Sequence, residues 1–420
     1  MRPTANGSTG AGSRSTPLRR NRKFQLLWAG SASSALGSSA SSVAFPLLIL
    51  ALTGSAALAG LTAAASSVTF VVFGLPAGAL ADRWDRRRLL IGVETVRTIN
   101  AAVLAAAIVG GWVVFAYIIT AAVLQVAGTA LEIPARNIAI RDVVAKDQLA
   151  SAFAQEEARS YVSGIAGPPA GGALYSAGRS LPFVADAASY LVSLVCIIAA
   201  RVPGGQHRTD PSAERTSMAH DIGEGLRYVW GQRSIRALVG CMPMFNIAGS
   251  AIPLLIVVLL NHGGDSATTI GLVIAAQGGA GVIGALLAGK IARRASTGRL
   301  VIAVFWTAAI AFGLITLDIG TWWTALMCGA SVFLMPAVNV AAMTDITGTV
   351  PEAMVGRVIS TVVVAASVTS PLGPLIAGLL SQWQSPTTAV LAFAGYLVVM
   401  SVAATSVRSL RTAPSRPAVS

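Results

Sequence analysis

Twelve apolar runs of about twenty residues each govern what this chain can fold into. They fall approximately at 26–50, 57–80, 89–110, 112–131, 152–176, 181–200, 236–260, 268–289, 299–317, 321–343, 357–380 and 387–406. An apolar helix needs roughly 20 residues to cross about 30 Å of hydrocarbon, so each run is long enough to span a bilayer once. The ten-residue alternation of a membrane β-barrel does not fit them. Only 11% of the 420 residues are charged and 54% are hydrophobic, whereas soluble domains are about a quarter charged. A soluble enzyme would have to bury all twelve runs as core, and the composition excludes that. The expected fold class is an all-α polytopic membrane protein.

The bases set the topology. Lys and Arg number 30 against 17 Asp and Glu, a net charge of +13. They are not gathered on one polar face, as nucleic-acid binding requires, but lie in short gaps between the apolar runs. No nucleic-acid partner is expected. With both termini placed inside, the inner segments hold the bases from Arg2 to Lys23, the cluster Arg83, Arg86, Arg87 and Arg88, then Arg136, Arg141 and Lys146, those from Arg201 to Arg236, and Lys290, Arg293, Arg294 and Arg299. The outer loops hold Arg179 alone. The positive-inside rule therefore places both termini in the cytoplasm, with anionic lipids as partners of the basic gaps. The first run begins near Phe24, is too long for a signal h-region, and is expected to be a span rather than a leader.

The longest polar interruption, 201–235, divides the chain into six runs plus six. The expected domains are a basic N-terminal tail at 1–23, a six-helix bundle at 24–200, a cytoplasmic linker at 201–235, a second six-helix bundle at 236–406 and a tail at 407–420. Within the linker, Leu226, Tyr228, Val229 and Trp230 suit one face of a short interfacial helix. The halves echo each other at an offset of about 202 to 207 positions. Gly78-Ala-Leu-Ala-Asp-Arg83 is echoed by Gly284-Ala-Leu-Leu-Ala-Gly-Lys290, Ile133-Pro-Ala-Arg-Asn-Ile138 by Met335-Pro-Ala-Val-Asn-Val340, and Gly167-Pro168 with Gly171-Gly172 by Gly373-Pro374 with Ala377-Gly378. Three echoes in one order point to duplication. Two such bundles facing a central cleft suit alternating access.

These motifs resemble the major facilitator superfamily, and more narrowly its twelve-span bacterial efflux branch, which includes macrolide and enterobactin exporters. The resemblance runs from Leu27-Trp28-Ala29-Gly30 to the twelfth run and is strongest at Gly78 through Arg88, in the loop between spans two and three. It departs from the antiporter motif at Ser163, where a Gly leads, and from the superfamily at Leu124, where members often carry an Arg. The resemblance implies that Gly78, Asp82, Arg83, Arg86 and Arg87 form a conformational latch that locks the bundles in the outward-facing state. The plain alternative is a set of positive-inside charges. It also likens Gly167, Pro168, Gly171 and Gly172 to the antiporter motif of span five, a functional bend repeated at Gly373, Pro374 and Gly378. Glu132, Arg136, Arg141 and Asp142 are expected to form an inner-gate network, against ordinary loop solvation.

Ionisable groups inside spans are costly unless used or paired. Asp186 has no base within a helical turn, so it is a candidate protonation site or a structural acid bonded to neighbouring helices. Glu94 and Arg97 share a helix face at i,i+3 and are a structural pair or a second coupling candidate. Serines crowd span one from Ser31 to Ser42, fitting it to a polar cavity face, and that span has no carboxylate for a dedicated cation. Phe45, Phe70, Phe73, Phe245, Asn246 and Gln277 are candidate cavity-lining residues, with lipid or neighbouring helices as the alternative.

Other chemistry is thin. Cys196, Cys241 and Cys328 lie inside spans, and His207, His220 and His262 have no metal-ligand spacing with them. There is no phosphate-binding Gly-Lys-Ser/Thr loop and no nucleophile–base arrangement. No cofactor, metal or enzymatic activity is expected. The reading is a monomeric secondary active exporter in the bacterial inner membrane. Its substrate is an amphipathic small molecule such as a drug, siderophore or secondary metabolite, exchanged for protons. The alternatives are uptake or facilitated passage of a small solute, or a non-transporting sensor on the same fold.

Overall fold

The computed structural model describes residues 17–202, 223–224, 227–228 and 230–407. Among them are fourteen α-helices and no strand. Helices α1 to α6 are Arg22–Thr53, Ala56–Arg83, Arg86–Gly110, Phe115–Val143, Leu149–Ala177 and Leu181–Ala200. The second half contains α7 Arg233–His262, α8 Ala267–Arg294, α9 Thr297–Ile315, α10 Thr321–Phe333, α11 Met335–Thr349, α12 Glu352–Thr369, α13 Leu372–Trp383 and α14 Pro386–Ser406. In hydrocarbon a backbone must satisfy its own hydrogen bonds, which helices do within one segment. The ends are closed locally. The Asn21, Ser55, Asp85, Ser266 and Ser385 side chains accept from backbone N–H groups at N-termini, and Gly54 and Gly111 end α1 and α3 at φ +64° and +72°.

Eleven helical stretches are long and apolar enough to cross a membrane by length and composition. The twelfth span is α5, which Gly, Pro and Ser make less apolar and which carries Glu156, Glu157 and Arg159 near its start. Three expected spans differ from the sequence reading. Span four does not end near residue 131, because α4 continues to Val143 with Glu132 and Arg136 folded inward. Span ten is broken at Leu334, before Pro336, into α10 and α11. Span eleven is broken at Ser370–Pro371 into α12 and α13, since proline removes a backbone donor and clashes with the preceding turn. By contrast α5 runs unbroken through Pro168 and Pro169, so the expected bend there is not a break in the helix.

In the first half α1 packs on α5 and α6, α2 on α4, and α3 on α4 and α6. In the second, α7 packs on α12 and α13, α8 on α10 and α11, and α9 on α14. The two sets meet chiefly where α5 lies along α8 and α13 lies along α2. Of the linker helix, 223–224, 227–228 and 230–231 are helical, while Leu226 and Val229 lie outside the described residues. Tyr228 packs among Ile346, Val350 and Val358, and Glu224 pairs with Arg357, so this segment rests on the second half.

Candidate functional site: a central cavity backed by a buried polar network

The end of the bundle opposite the chain termini, here called distal, is where the halves touch. A Cβ on Gly172 of α5 would overlap the carbonyl of Ala267 at the start of α8, and one on Gly271 would overlap that of Pro168. On the other side a Cβ on Gly378 of α13 would lie 2.6 Å from Ala56 O and 2.8 Å from Gly60 Cα of α2. The earlier glycines of each motif face inward within their own half. Gly167 and Gly171 press on Ser39 and Ala40 of α1, and Gly373 presses on Ile247 and Ser250 of α7. Nearer the termini, Cβ atoms on Gly74 and Gly281 would meet nothing within 4 Å.

Beneath this closure lies a cavity of about 560 Å³ between the halves. Its first-half wall carries Ser38, Ser39 and Ser42 of α1, Thr62, Ser66 and Ser67 of α2, and Gln125 and Thr129 of α4. The second-half wall is apolar apart from Ser250, with Pro253, Leu254 and Val257 of α7 and Pro374 of α13. None of the lining residues is charged. The cavity is mostly apolar, with Val43, Phe45, Pro46 and Ile49 also on the first-half wall, and its polar groups other than Ser250 are gathered on that wall.

Behind the polar wall is a buried network centred on Arg97, which is 2% exposed. Its Nη1 donates to Glu132 Oε2 at 2.6 Å, its Nη2 donates to Ser38 Oγ at 3.0 Å and Tyr190 OH at 3.0 Å, and the guanidinium stacks 4.0 Å from the Tyr190 ring centroid. Gly128 leaves room for the arginine stem, since a Cβ there would stand 2.7 Å from Arg97 Cδ. Glu132 Oε1 pairs with Arg136 Nη2 at 2.6 Å. Glu94 Oε1 accepts from the Ser193 hydroxyl at 2.6 Å, whereas Oε2 has no hydrogen-bond partner. Asp186, 1% exposed, accepts on Oδ2 from Ser41 Oγ at 2.7 Å and Gln125 Nε2 at 3.0 Å, and its Oδ1 has no partner. Burying charges in low dielectric is tolerable only with such pairing.

Several expected groupings change. Glu94 and Arg97 approach only to 3.8 Å, because Glu132 on α4 takes the arginine. The four-residue inner gate divides. Glu132 and Arg136 join the Arg97 network, Asp142 pairs with Arg86, and the Arg141 guanidinium lies 5.9 Å from the Phe153 ring. Arg86 is therefore a tie between α3 and the end of α4 within one half. Gly78, Asp82 and Arg83 close α2, and their side chains lie outside the described residues. Arg87 is half-buried, and its Nε has no hydrogen-bond partner.

Of the six candidate lining residues Phe45 lines the cavity. Phe70 is 45% exposed, Phe73 faces a separate groove among α2, α3 and α4, and Phe245 packs edge-on against Phe305 at 5.5 Å. Asn246 donates back to Met242 O, and Gln277 is half-buried. None of these five is among the residues lining the cavity. The span-one serines divide, with Ser38, Ser39 and Ser42 on the cavity and Ser41 turned to Asp186. Gln125 and Tyr190 were not expected. Gln125's only signal is one amide in the apolar stretch Val123-Leu-Gln-Val126.

Twelve spans in two similar halves around a central cavity define a multi-pass membrane protein of the secondary-active transporter class, moving a small solute without catalysing a reaction. The chain belongs to the transmembrane secretion effector family of the major facilitator superfamily, which it matches over residues 12–418. No curated protein sequence matches it significantly. Similar solved structures include a bacterial homologue of the human lysosomal transporter Spinster, inward-facing and unoccupied, with 16% identity and a TM-score of 0.72 over 94% of this chain and 98% of that one. The nucleoside transporter NupG has 12% identity and a TM-score of 0.72 over 94% and 100%. A bacterial homologue of the iron transporter ferroportin, inward-facing, has 14% identity and a TM-score of 0.71 over 93% and 99%. At such identities the likeness is one of fold.

Proposed function

We propose that this protein exports an amphipathic small molecule in exchange for protons by alternating access between bundles 24–200 and 236–406. The termini lie in the cytoplasm of a bacterial inner membrane, and the distal end faces outward. The observation that carries the reading is the pair of glycine closures, Gly172 on α8 and Gly378 on α2, sealing the distal end of a cavity between the halves. Separating those contacts and closing the opposite end would expose the cavity to the other side. A mostly apolar cavity whose serine, threonine and glutamine groups are concentrated on the first-half wall supports an amphipathic substrate. Asp186 and Glu94, buried acids each with one oxygen lacking a hydrogen bond, are the proposed proton carriers. The family's description as a secretion effector supports the outward direction.

A second reading, uptake or facilitated passage, draws support from the fold likeness to a structure named as a nucleoside transporter. Purified protein in proteoliposomes separates the two. Under an imposed pH gradient, a neutral amphiphilic dye such as Nile red should drive proton movement opposite to its own. Movement in the same direction favours uptake, and dye movement indifferent to the gradient favours facilitated passage.

A further inference from the structure

Gln125 holds an unusual place. It lines the cavity and also bonds to Asp186. The other donor to Asp186 Oδ2, the Ser41 hydroxyl, is fully buried. Oδ1 is buried, and Gly37 of α1 packs so near that an added Cβ would stand 2.9 Å from it. Ser38 and Thr129 also connect the cavity to the network, but they reach Arg97 and not the acid. The only described contact between the cavity wall and Asp186 is this amide.

The amide is also oversubscribed. Its nitrogen carries two hydrogens, yet Asp186 Oδ2, Ser41 Oγ and Tyr190 OH each lie 3.0 Å from it. One acceptor is always unserved, and a cavity ligand would bring a fourth. No charged residue lines the cavity to meet an ion. We propose that Gln125 is the specificity-determining residue of the cavity, donating to a neutral carbonyl or ether oxygen on an uncharged amphiphile and thereby leaving Asp186. The charged group that faces Asp186 is Arg97 from α3, itself paired with Glu132 of α4, and Ser41 of α1 and the Tyr190 phenol on its own helix lie beside it, so releasing the Gln125 bond removes one of the acid's polar partners. This deepens, and rests on, the proposed transport of an amphiphile through the same cavity.

The test uses the full chain in lipid nanodiscs, with three fluorescent probes corrected for partition into empty discs: 2-acetylanthracene, 2-ethylanthracene and a trimethylammoniomethyl anthracene. The ketone should bind the native protein about three- to tenfold more tightly than the ethyl compound, the range of one neutral hydrogen bond, and the cation should show no advantage. Gln125→Met, which keeps the side-chain length, should erase the ketone preference. Ketone binding should also shift an infrared carboxyl band that Asp186→Asn removes, and Gln125→Met should abolish that shift. If Gln125→Met does not fold, Gln125→Asn carries the test, because an amide one methylene shorter cannot bridge cavity and acid and should lose the infrared shift. Equal affinity for ketone and ethyl compound, absence of binding by either, a preference that survives Gln125→Met, or an immobile Asp186 band would each overturn the inference. Spin-label distances between the halves in the same discs keep the two claims apart. If the halves move while the preference ignores Gln125, only this inference falls, and if they never move, the transport reading falls.

Discussion

Gly172 and Gly378 occupy corresponding places in the two halves, and each lets its own helix touch the second helix of the opposite half, α8 and α2 respectively. The pairing gives the distal seal an internal two-fold symmetry that follows from the duplicated motif. Small residues at helix crossings allow backbones to approach and are the usual means of packing within a membrane.

Adding a methyl group at either position should therefore open the seal. Gly172→Ala and Gly378→Ala would each force the helices apart at a backbone contact, where overpacking costs about 1–3 kcal/mol. The predicted result is a shift of about fivefold or more toward the distally open arrangement, read as longer spin-label distances across α2 and α13, with slower transport. Gly281→Ala, where the added carbon meets nothing within 4 Å, should leave the distances unchanged.

The Arg97 network predicts a stability pattern. Arg97→Leu removes the cation from buried Glu132 and Glu94, and breaking one side of a buried pair costs about 3–5 kcal/mol. Thermal unfolding of the purified variant should fall by several degrees at least. Adding Glu132→Gln should restore part of the loss: without Arg97 the two buried acids Glu94 and Glu132 face Arg136 as the one remaining cation of the network, and the second substitution removes the excess negative charge. A double variant worse than either single one would contradict the pairing.

We propose that the motif at Gly78 to Arg88 mixes two jobs, an intra-half tie and a latch. Arg86 is 3% exposed and bonded to Asp142 within its own half, so Arg86→Ala should lower stability by about 1–3 kcal/mol, with the exchanged pair Arg86→Asp, Asp142→Arg partly rescuing it. Asp82→Asn should instead slow turnover while leaving insertion and substrate affinity intact. Normal turnover in purified Asp82→Asn would remove it from the latch.

Asp186→Asn should weaken proton-driven accumulation more than downhill exchange, measured in proteoliposomes with and without a pH gradient. If both persist unchanged, Asp186 does not couple.

What the sequence made legible is what depends on local chemistry. Twelve runs of suitable length, the glycine spacing at 167–172 and its echo at 373–378, and the isolated acid Asp186 all stand out without any tertiary knowledge. The Arg97–Glu132 pair does not, because it needs α3 and α4 packed at a particular rotation, and i,i+3 spacing pointed instead to Glu94. Phe70 and Phe245 show a related limit. In hydrocarbon, residues facing lipid and residues facing a neighbouring helix are equally apolar, so periodicity cannot separate them from a cavity wall. Gln125 went unseen for the opposite reason, since a single neutral amide carries little weight until its neighbours are known. Even the breaks at Leu334 and Pro371 were hard to foresee, since α5 passes through two prolines without one.

The central claim is that the two halves rock about the cavity, exchanging the distal seal for one at the terminal end. Its most direct test is a pair of spin-label distances in lipid nanodiscs, one between Thr53 and Trp383 at the distal end and one between Arg88 and Arg294 at the terminal end, measured across a pH change with and without a neutral amphiphile. The account predicts that the distal distance lengthens as the terminal one shortens. Two distances that stay fixed, or that change together, would contradict it.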